Sequence, residues 1–299
     1  MFIFEIEPAM GQYSIKELEK LSGIKAHTIR IWEKRHHIVE PGRTDTNIRL
    51  YSDEDLKKII NVSLLNNHGI KISRIADMTH EEINRKIVEL SEQKSDTTIF
   101  IDQLIVAMVD LDEERFEKVL SSLFLRFGFE KTITDIVYPF MEKIGVLWQT
   151  ENITPAQEHF ISHLIRQKLI VAIDGLSTKP NRTERVLLFL PENEWHELGL
   201  LFFHYLVRKD GYKTIYLGQS VPMKDVVSVV NVHQPDILIT SIISSPFGIK
   251  IDDFLNQLSD TFSNQRVLVS GYQTRFLNRK NFKNIEIFHN ALDLKALLG

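Results

Sequence analysis

The chain contains no cysteine in its 299 residues. Disulfides, thiolate zinc sites and a cysteine nucleophile are therefore excluded, and His and carboxylates remain as the strong metal ligands. Several enzyme signatures are also missing: there is no P-loop, G-x-G-x-x-G, G-x-S-x-G or H-E-x-x-H, so phosphate transfer, dinucleotide binding, serine hydrolysis and zinc proteolysis lose their usual support. No apolar run approaches the ~20 residues that a spanning helix needs. The N-terminus, Met-Phe-Ile-Phe-Glu-Ile-Glu-Pro, has no basic region before its short apolar stretch. A cytoplasmic protein with no membrane partner is expected. Nor is there an excess of positive charge: the net charge is -4, which read alone argues against a nucleic-acid partner.

That average hides a local reversal. Between Lys25 and Tyr51 six Lys or Arg (Lys25, Arg30, Lys34, Arg35, Arg43, Arg49) face three acids, with three histidines besides. The remaining composition, 43% hydrophobic and 25% charged, is that of a chain able to fold throughout. Its length is about twice that of a typical domain, so two or three compact units are expected.

Three segments follow from periodicity: an N-terminal domain over 1–80, a helical domain over 97–178 and an α/β domain over 183–299. In the first, Ser14 and Glu17 have capping-box spacing ahead of Ile15, Leu18 and Leu21. Ser22-Gly23 breaks that helix, and 25–35 reads as a second one with Ile29 and Trp32 inward. Helix, Gly-containing turn, helix is a helix-turn-helix pattern. The Pro-, Gly- and Arg-containing stretch from Glu40 to Tyr51 suits a wing, and Ser52 caps a further helix. In the second segment, 99–109, 113–127, 129–148 and 155–176 show apolar residues at three- and four-residue spacing, which predicts a four-helix bundle. In the third, 186–190, 214–217, 237–241, 267–270 and 285–288 are short apolar runs, each followed by a helical pattern. Five such units predict a doubly wound five-stranded parallel sheet with ligands outside the carboxyl ends of its strands. Ser91–Asp96 is the expected linker. No long heptad-patterned helix follows the first segment, so self-assembly needs a surface other than a coiled coil.

Tyr13-Ser14-Ile15, Leu18, Gly23-Ile24, Thr28-Ile29-Arg30-Ile31-Trp32-Glu33 and Arg49-Leu50-Tyr51-Ser52 with Asp55-Leu56 together resemble the MerR family of winged-helix regulators over about 70 residues. The resemblance implies double-stranded DNA as partner. Thr28 and Arg30 are then expected at the major groove, with Lys34, Arg43, Arg49 and Tyr51 mostly on phosphates.

After the first sheet strand stands Glu194-Trp195-His196-Glu197-Leu198-Gly199, an E-x-H-x-x-G loop. A neutral imidazole projected from such a loop can bind a metal above the sheet, with the carboxylate two residues earlier fixing its tautomer. Gly199 is expected to let the following helix approach closely. The loop resembles the D-x-H-x-x-G loop of cobalamin-binding domains, which implies His196 as the lower axial ligand of cobalt. Trp148 followed after nine residues by Glu158-His159 resembles the cobalamin-dependent MerR members, the CarH and LitR type of photoreceptor repressors. That likeness implies adenosylcobalamin as cofactor, placed between bundle and sheet, and a homodimer or tetramer controlled by it. Three positions depart from the pattern. Ser241-Ile242-Ile243 replaces S-x-L. Ser270-Gly271 replaces Gly-Gly, placing a side chain where a nucleotide tail would run. Gln149 stands where the light-responsive members carry a replacement His, leaving His159 as the next imidazole in sequence.

Two alternatives stay open. One is a regulator whose cobalamin-like domain senses another ligand or a protein. The other is a cobalamin enzyme subunit, which fails to explain residues 11–80 and lacks the length for a substrate barrel of about 250 residues.

Overall fold

A computed structural model describes residues 12–44, 46–93, 96–148, 153–176, 180–244, 250–277 and 282–299, and divides the chain into two units, Met1–Ile161 and Ser162–Gly299. The first unit opens with α1 (Ile15–Ser22), whose entry is fixed by the Ser14 N–H donating to Glu17 Oε2 at 2.5 Å. Gly23, at φ 71°, ends it in the left-handed region that glycine adopts most readily. α2 (Ala26–His36) follows and buries Ile29 and Trp32, as the spacing predicts. Two short antiparallel strands, β1 (Gly42–Arg43) and β2 (Arg49–Leu50), form the wing. Ser52 then accepts from the Asp55 N–H at 3.2 Å while Asp55 accepts from the Ser52 N–H at 3.0 Å, a reciprocal cap that starts α3 (Asp53–Asn67).

α4 (Ile72–Ala76) and α5 (His80–Gln93) complete the N-terminal half of this unit. The expected linker is shortened, because residues 91–93 finish α5; residues 94–95 lie outside the described part. Asp96 caps α6 (Thr97–Val109), which packs against α3. Lys57 on α3 reaches Asp110, just past α6, at 2.6 Å. α7 (Glu113–Phe127) comes next. The third expected helix is composite: α8 (Phe129–Thr132), a π-turn at Ile133–Val137, and α9 (Tyr138–Trp148). Pro139 gives the physical reason. It has no N–H for the Asp135 carbonyl and its ring crowds that group, so a widened turn precedes it. α10 (Pro155–Asp174) is the fourth.

In the second unit a five-stranded parallel sheet forms the centre, made of β3 (Arg185–Pro191), β4 (Lys213–Val221), β5 (Ile237–Ser241), β6 (Arg266–Ser270) and β7 (Ile285–Ile287). The order is β4-β3-β5-β6-β7, so the chain reverses direction across the sheet between β3 and β5. β3 is buried along nearly its whole length, the near-continuous apolar run expected of a strand covered on both faces. α11 (Glu197–Lys209), α12 (Met223–His233), α13 (Ile251–Thr261) and α14 (Ala291–Leu298) follow β3, β4, β5 and β7. The expectation of a helix after every strand is corrected at β6, where a single 3₁₀ turn, Tyr272–Phe276, follows. Gln273 holds the chain there: its N–H donates to the Ile242 carbonyl and its Nε2 to the Ile243 carbonyl, both at 3.1 Å, pinning the segment across the end of β5.

Candidate functional site

The DNA-facing candidates are distributed over α2 and the wing. Arg30 and Lys34 project from α2 on its exposed side, and Arg43 on β1 is exposed with its Nη1 donating to Asn47 Oδ1 at 2.7 Å. Thr28 is different. It is half-buried, with Oγ1 3.3 Å from His27 Nε2, and lies at the flank of the exposed face, where His27 and Ile31 stand beside Arg30.

The wing root departs further from the sequence reading. Arg49 Nε donates to both oxygens of Glu33 at 3.0 and 3.1 Å, and Tyr51 Oη donates to the same carboxylate at 3.4 Å. Tyr51 is fully buried and forms a two-way backbone bridge with Tyr13, so its expected phosphate contact is corrected to a core role. Arg49 keeps partial exposure, but its charge is already opposed by Glu33.

The histidine loop lies where the topology predicts a ligand, at the carboxyl ends of the two strands that flank the reversal. β3 ends at Pro191, and Asn193 turns the chain at φ 62° with its N–H on Ser220 Oγ at 3.0 Å. The Ser220 N–H in turn donates to the Glu194 carbonyl at 3.1 Å, tying the loop to β4.

Glu194 organises the centre. Its Oε1 accepts the His196 Nδ1 proton at 2.5 Å and the His196 backbone N–H at 3.1 Å. Its Oε2 accepts the backbone N–H groups of Ile243 at 2.8 Å and Ser244 at 2.7 Å, in the loop after β5. Burial of this carboxylate acts to raise its pKa. The bonds from the His196 ring and from the backbone of Ser244, His196 and Ile243 outweigh burial and hold it down at about 2. The result is an ionised carboxylate that holds the His196 ring through Nδ1. His196 stands at the N-cap position of α11 with 57% of its side chain exposed.

The neighbouring positions are small. Ser241 and Ser270 are direct register partners at the ends of β5 and β6, both buried. Gly271, at φ 109°, could not be replaced: an added Cβ would fall 2.2 Å from the Ile242 carbonyl oxygen. Gly199 corrects its expected role, since a Cβ there would meet no atom within 4 Å and close helix packing does not require glycine.

Sequence reading missed the other flank of the histidine. Glu197, buried in the first turn of α11, accepts from Arg166 Nε at 2.8 Å and from Tyr216 Oη at 2.9 Å. This ties α10 and β4 to the residue after His196. The one available signal was a carboxylate on each side of a loop histidine.

Trp148 closes α9; its side chain, and Gln149 entirely, lie outside the described residues. Glu158 ends the first turn of α10, which Thr154 and Gln157 cap reciprocally, and His159 follows it with Nδ1 3.0 Å from Glu158 Oε2. Both belong to the first unit.

Two family models match separate stretches of the chain. Residues 13–82 match the family model described as MerR HTH family regulatory protein, and residues 100–172 match the one described as B12 binding domain. The chain carries a MerR-type DNA-binding domain joined to a B12 binding domain. Relatives include the HTH-type transcriptional repressor CarH of Myxococcus xanthus, 26% identical over 82% of this chain and 84% of that protein. The repressor CarA of the same organism is 25% identical over 77% of this chain and 76% of its own length. Among solved structures, the monomethylamine corrinoid protein of Methanosarcina barkeri superposes with a TM-score of 0.56 at 15% identity, covering 68% of this chain and 98% of that one. At that identity the likeness concerns the fold alone.

Proposed function

We propose that this chain is a DNA-binding transcriptional regulator whose C-terminal half holds a corrinoid through His196, and that the corrinoid controls how many copies of the chain assemble on DNA. The observation that carries the reading is the Glu194–His196 pair at the sheet's reversal point, in one chain with a basic helix and wing. Among the described residues no group of three or more His or carboxylates could hold a bare metal ion. A single loop imidazole suits a metal that arrives with a macrocycle of its own equatorial ligands. The surroundings fit such a group: Gly199 leaves the volume of a side chain open in the first turn of α11, and the small side chains Ser241 and Ser270 stand at the ends of β5 and β6.

Cobalamin, when bound, supplies a cobalt whose upper bond is labile. The residues' work is different in kind. His196 would ligate the metal, Glu194 would hold the ring through Nδ1, and the Ile243 and Ser244 amides hold Glu194 in place. The adenosyl form is the version that the sequence pattern of Trp148, Glu158 and His159 favours. CarH and CarA are repressors by name, which favours repression. Assembly as a homodimer or tetramer would convert weak single-site DNA contacts into multivalent ones.

The fold likeness to a corrinoid protein of methylamine metabolism favours a second reading, a corrinoid-carrying enzyme subunit. It leaves residues 13–82 without a role.

The test is to incubate the full-length chain with adenosylcobalamin in the dark, pass it through a desalting column and record its absorption spectrum and mass in solution. Co-elution at one corrinoid per chain, with a change in assembly state, is expected. Cofactor that separates fully from the protein overturns the reading.

A further inference from the structure

The exposed face of α2 carries His27, Arg30, Ile31 and Lys34, opposite buried Ile29 and Trp32. Three of these four present groups that suit an anionic partner. The fourth does not: Ile31 is an apolar side chain that is 43% exposed. A β-branched residue in a water-facing helix position gains nothing in helix propensity over the straight-chain residues around it. Its neighbours on the face are charged or polar, so Ile31 is not part of an apolar patch of the size that marks a protein or membrane contact. The chemistry that matches an isolated apolar side chain set among cations is an anionic surface with isolated apolar groups embedded in it.

Duplex DNA has that character in its major groove, where the 5-methyl of thymine is the apolar feature among the base edges. α2, with 11 residues, is about 16 Å long, and its diameter suits a groove about 12 Å wide. We propose that Ile31 is a specificity-determining residue that packs against a thymine methyl, with Arg30 and Lys34 on either side of it. The proposal rests on the DNA-binding reading and goes beyond it by naming the base. Ile31, and not half-buried Thr28, then gives α2 its sequence preference.

The experiment uses the full-length chain to select a preferred site from a random duplex pool. Each thymine of that site is then replaced singly by deoxyuridine, which removes only the methyl group. Dissociation constants are measured for the wild type, Ile31→Ala and Ile31→Val. At one thymine the replacement should weaken wild-type binding about fourfold, the loss of one buried methyl contact. Ile31→Ala should show no further loss at that thymine, and Ile31→Val should retain most of it. Equal deoxyuridine penalties in the wild type and Ile31→Ala, or no sensitive thymine, would overturn the assignment. So would a change in the mass of DNA-free protein on Ile31→Ala, which would make Ile31 a contact between copies. Wild-type protein that binds no duplex would instead remove the DNA-binding reading beneath it.

Discussion

Glu33 and Glu194 each hold a side chain of a proposed site, yet they do so by different means. Glu33 accepts from Arg49 and Tyr51, both side chains, and keeps 17% of its own surface exposed. Glu194 is 5% exposed and accepts from one ring nitrogen and three backbone N–H groups belonging to two loops. Backbone donors have no side-chain rotamers to lose when they pair, whereas an Arg must give up rotamer freedom. The first arrangement is a brace sensitive to salt. The second is a preorganised socket whose carboxylate stays ionised far into acid.

The largest expected effect lies in the socket. His196→Ala should abolish measurable corrinoid retention, followed by equilibrium dialysis, while leaving duplex binding by the N-terminal domain intact. Retained wild-type affinity with an unchanged cobalt spectrum would remove the ligand assignment.

Glu194→Gln comes next, with an expected loss of about 10–100-fold in corrinoid affinity, the usual effect of removing the partner that orients a metal-bound His. It also tests the contrast through pH. The pKa of Glu194 is lowered by folding, so its stabilising contribution is complete above the ordinary carboxylate value of 4.5 and is lost as the pH falls toward about 2. Acid unfolding of the variant, followed by circular dichroism, should therefore lose part of its dependence in that window. An unchanged acid profile would mean that the socket is no tighter than the brace.

Glu197 is an intermediate case, a buried carboxylate served by the side chains of Arg166 and Tyr216. Glu197→Gln should cost about 1–2 kcal/mol in urea unfolding, since Arg166 is exposed enough to regain water. A cost above that of Glu194→Gln would reverse the proposed ranking.

The smallest effect is expected at the wing. Arg43→Ala, at an exposed position, should reduce the slope of log affinity against log salt by about one unit. Arg49→Ala should reduce it by less, because Glu33 already opposes that charge. Equal slopes for the two variants would show that the Glu33 brace opens on DNA.

Much of this organisation was legible before any coordinates. Capping at Ser14 and Ser52, inward Ile29 and Trp32, and five apolar runs of strand length are local patterns, and the structure keeps each of them. The pairing of Glu194 with His196 was legible too, because two residues of separation limit how far apart the groups can lie. The π-turn before Pro139 and the 3₁₀ turn after β6 were not read, although Pro139 was visible; nothing in the Tyr272–Phe276 stretch reveals that Gln273 will be pinned by β5.

Sequence by itself determined the two kinds of domain in this protein, the basic charge of its first segment and the presence of a ligand-type histidine after the first sheet strand, since periodicity, capping and short-range spacing are properties of neighbouring residues. Tertiary structure alone decided what each charge faces. Arg49 meets Glu33 from 16 residues away, Arg166 meets Glu197 from 31, and the backbone of Ile243 and Ser244 meets Glu194 from 49 and 50. Partners at such separations are selected by which strands lie side by side and which faces must be buried, and one-dimensional spacing carries no record of either.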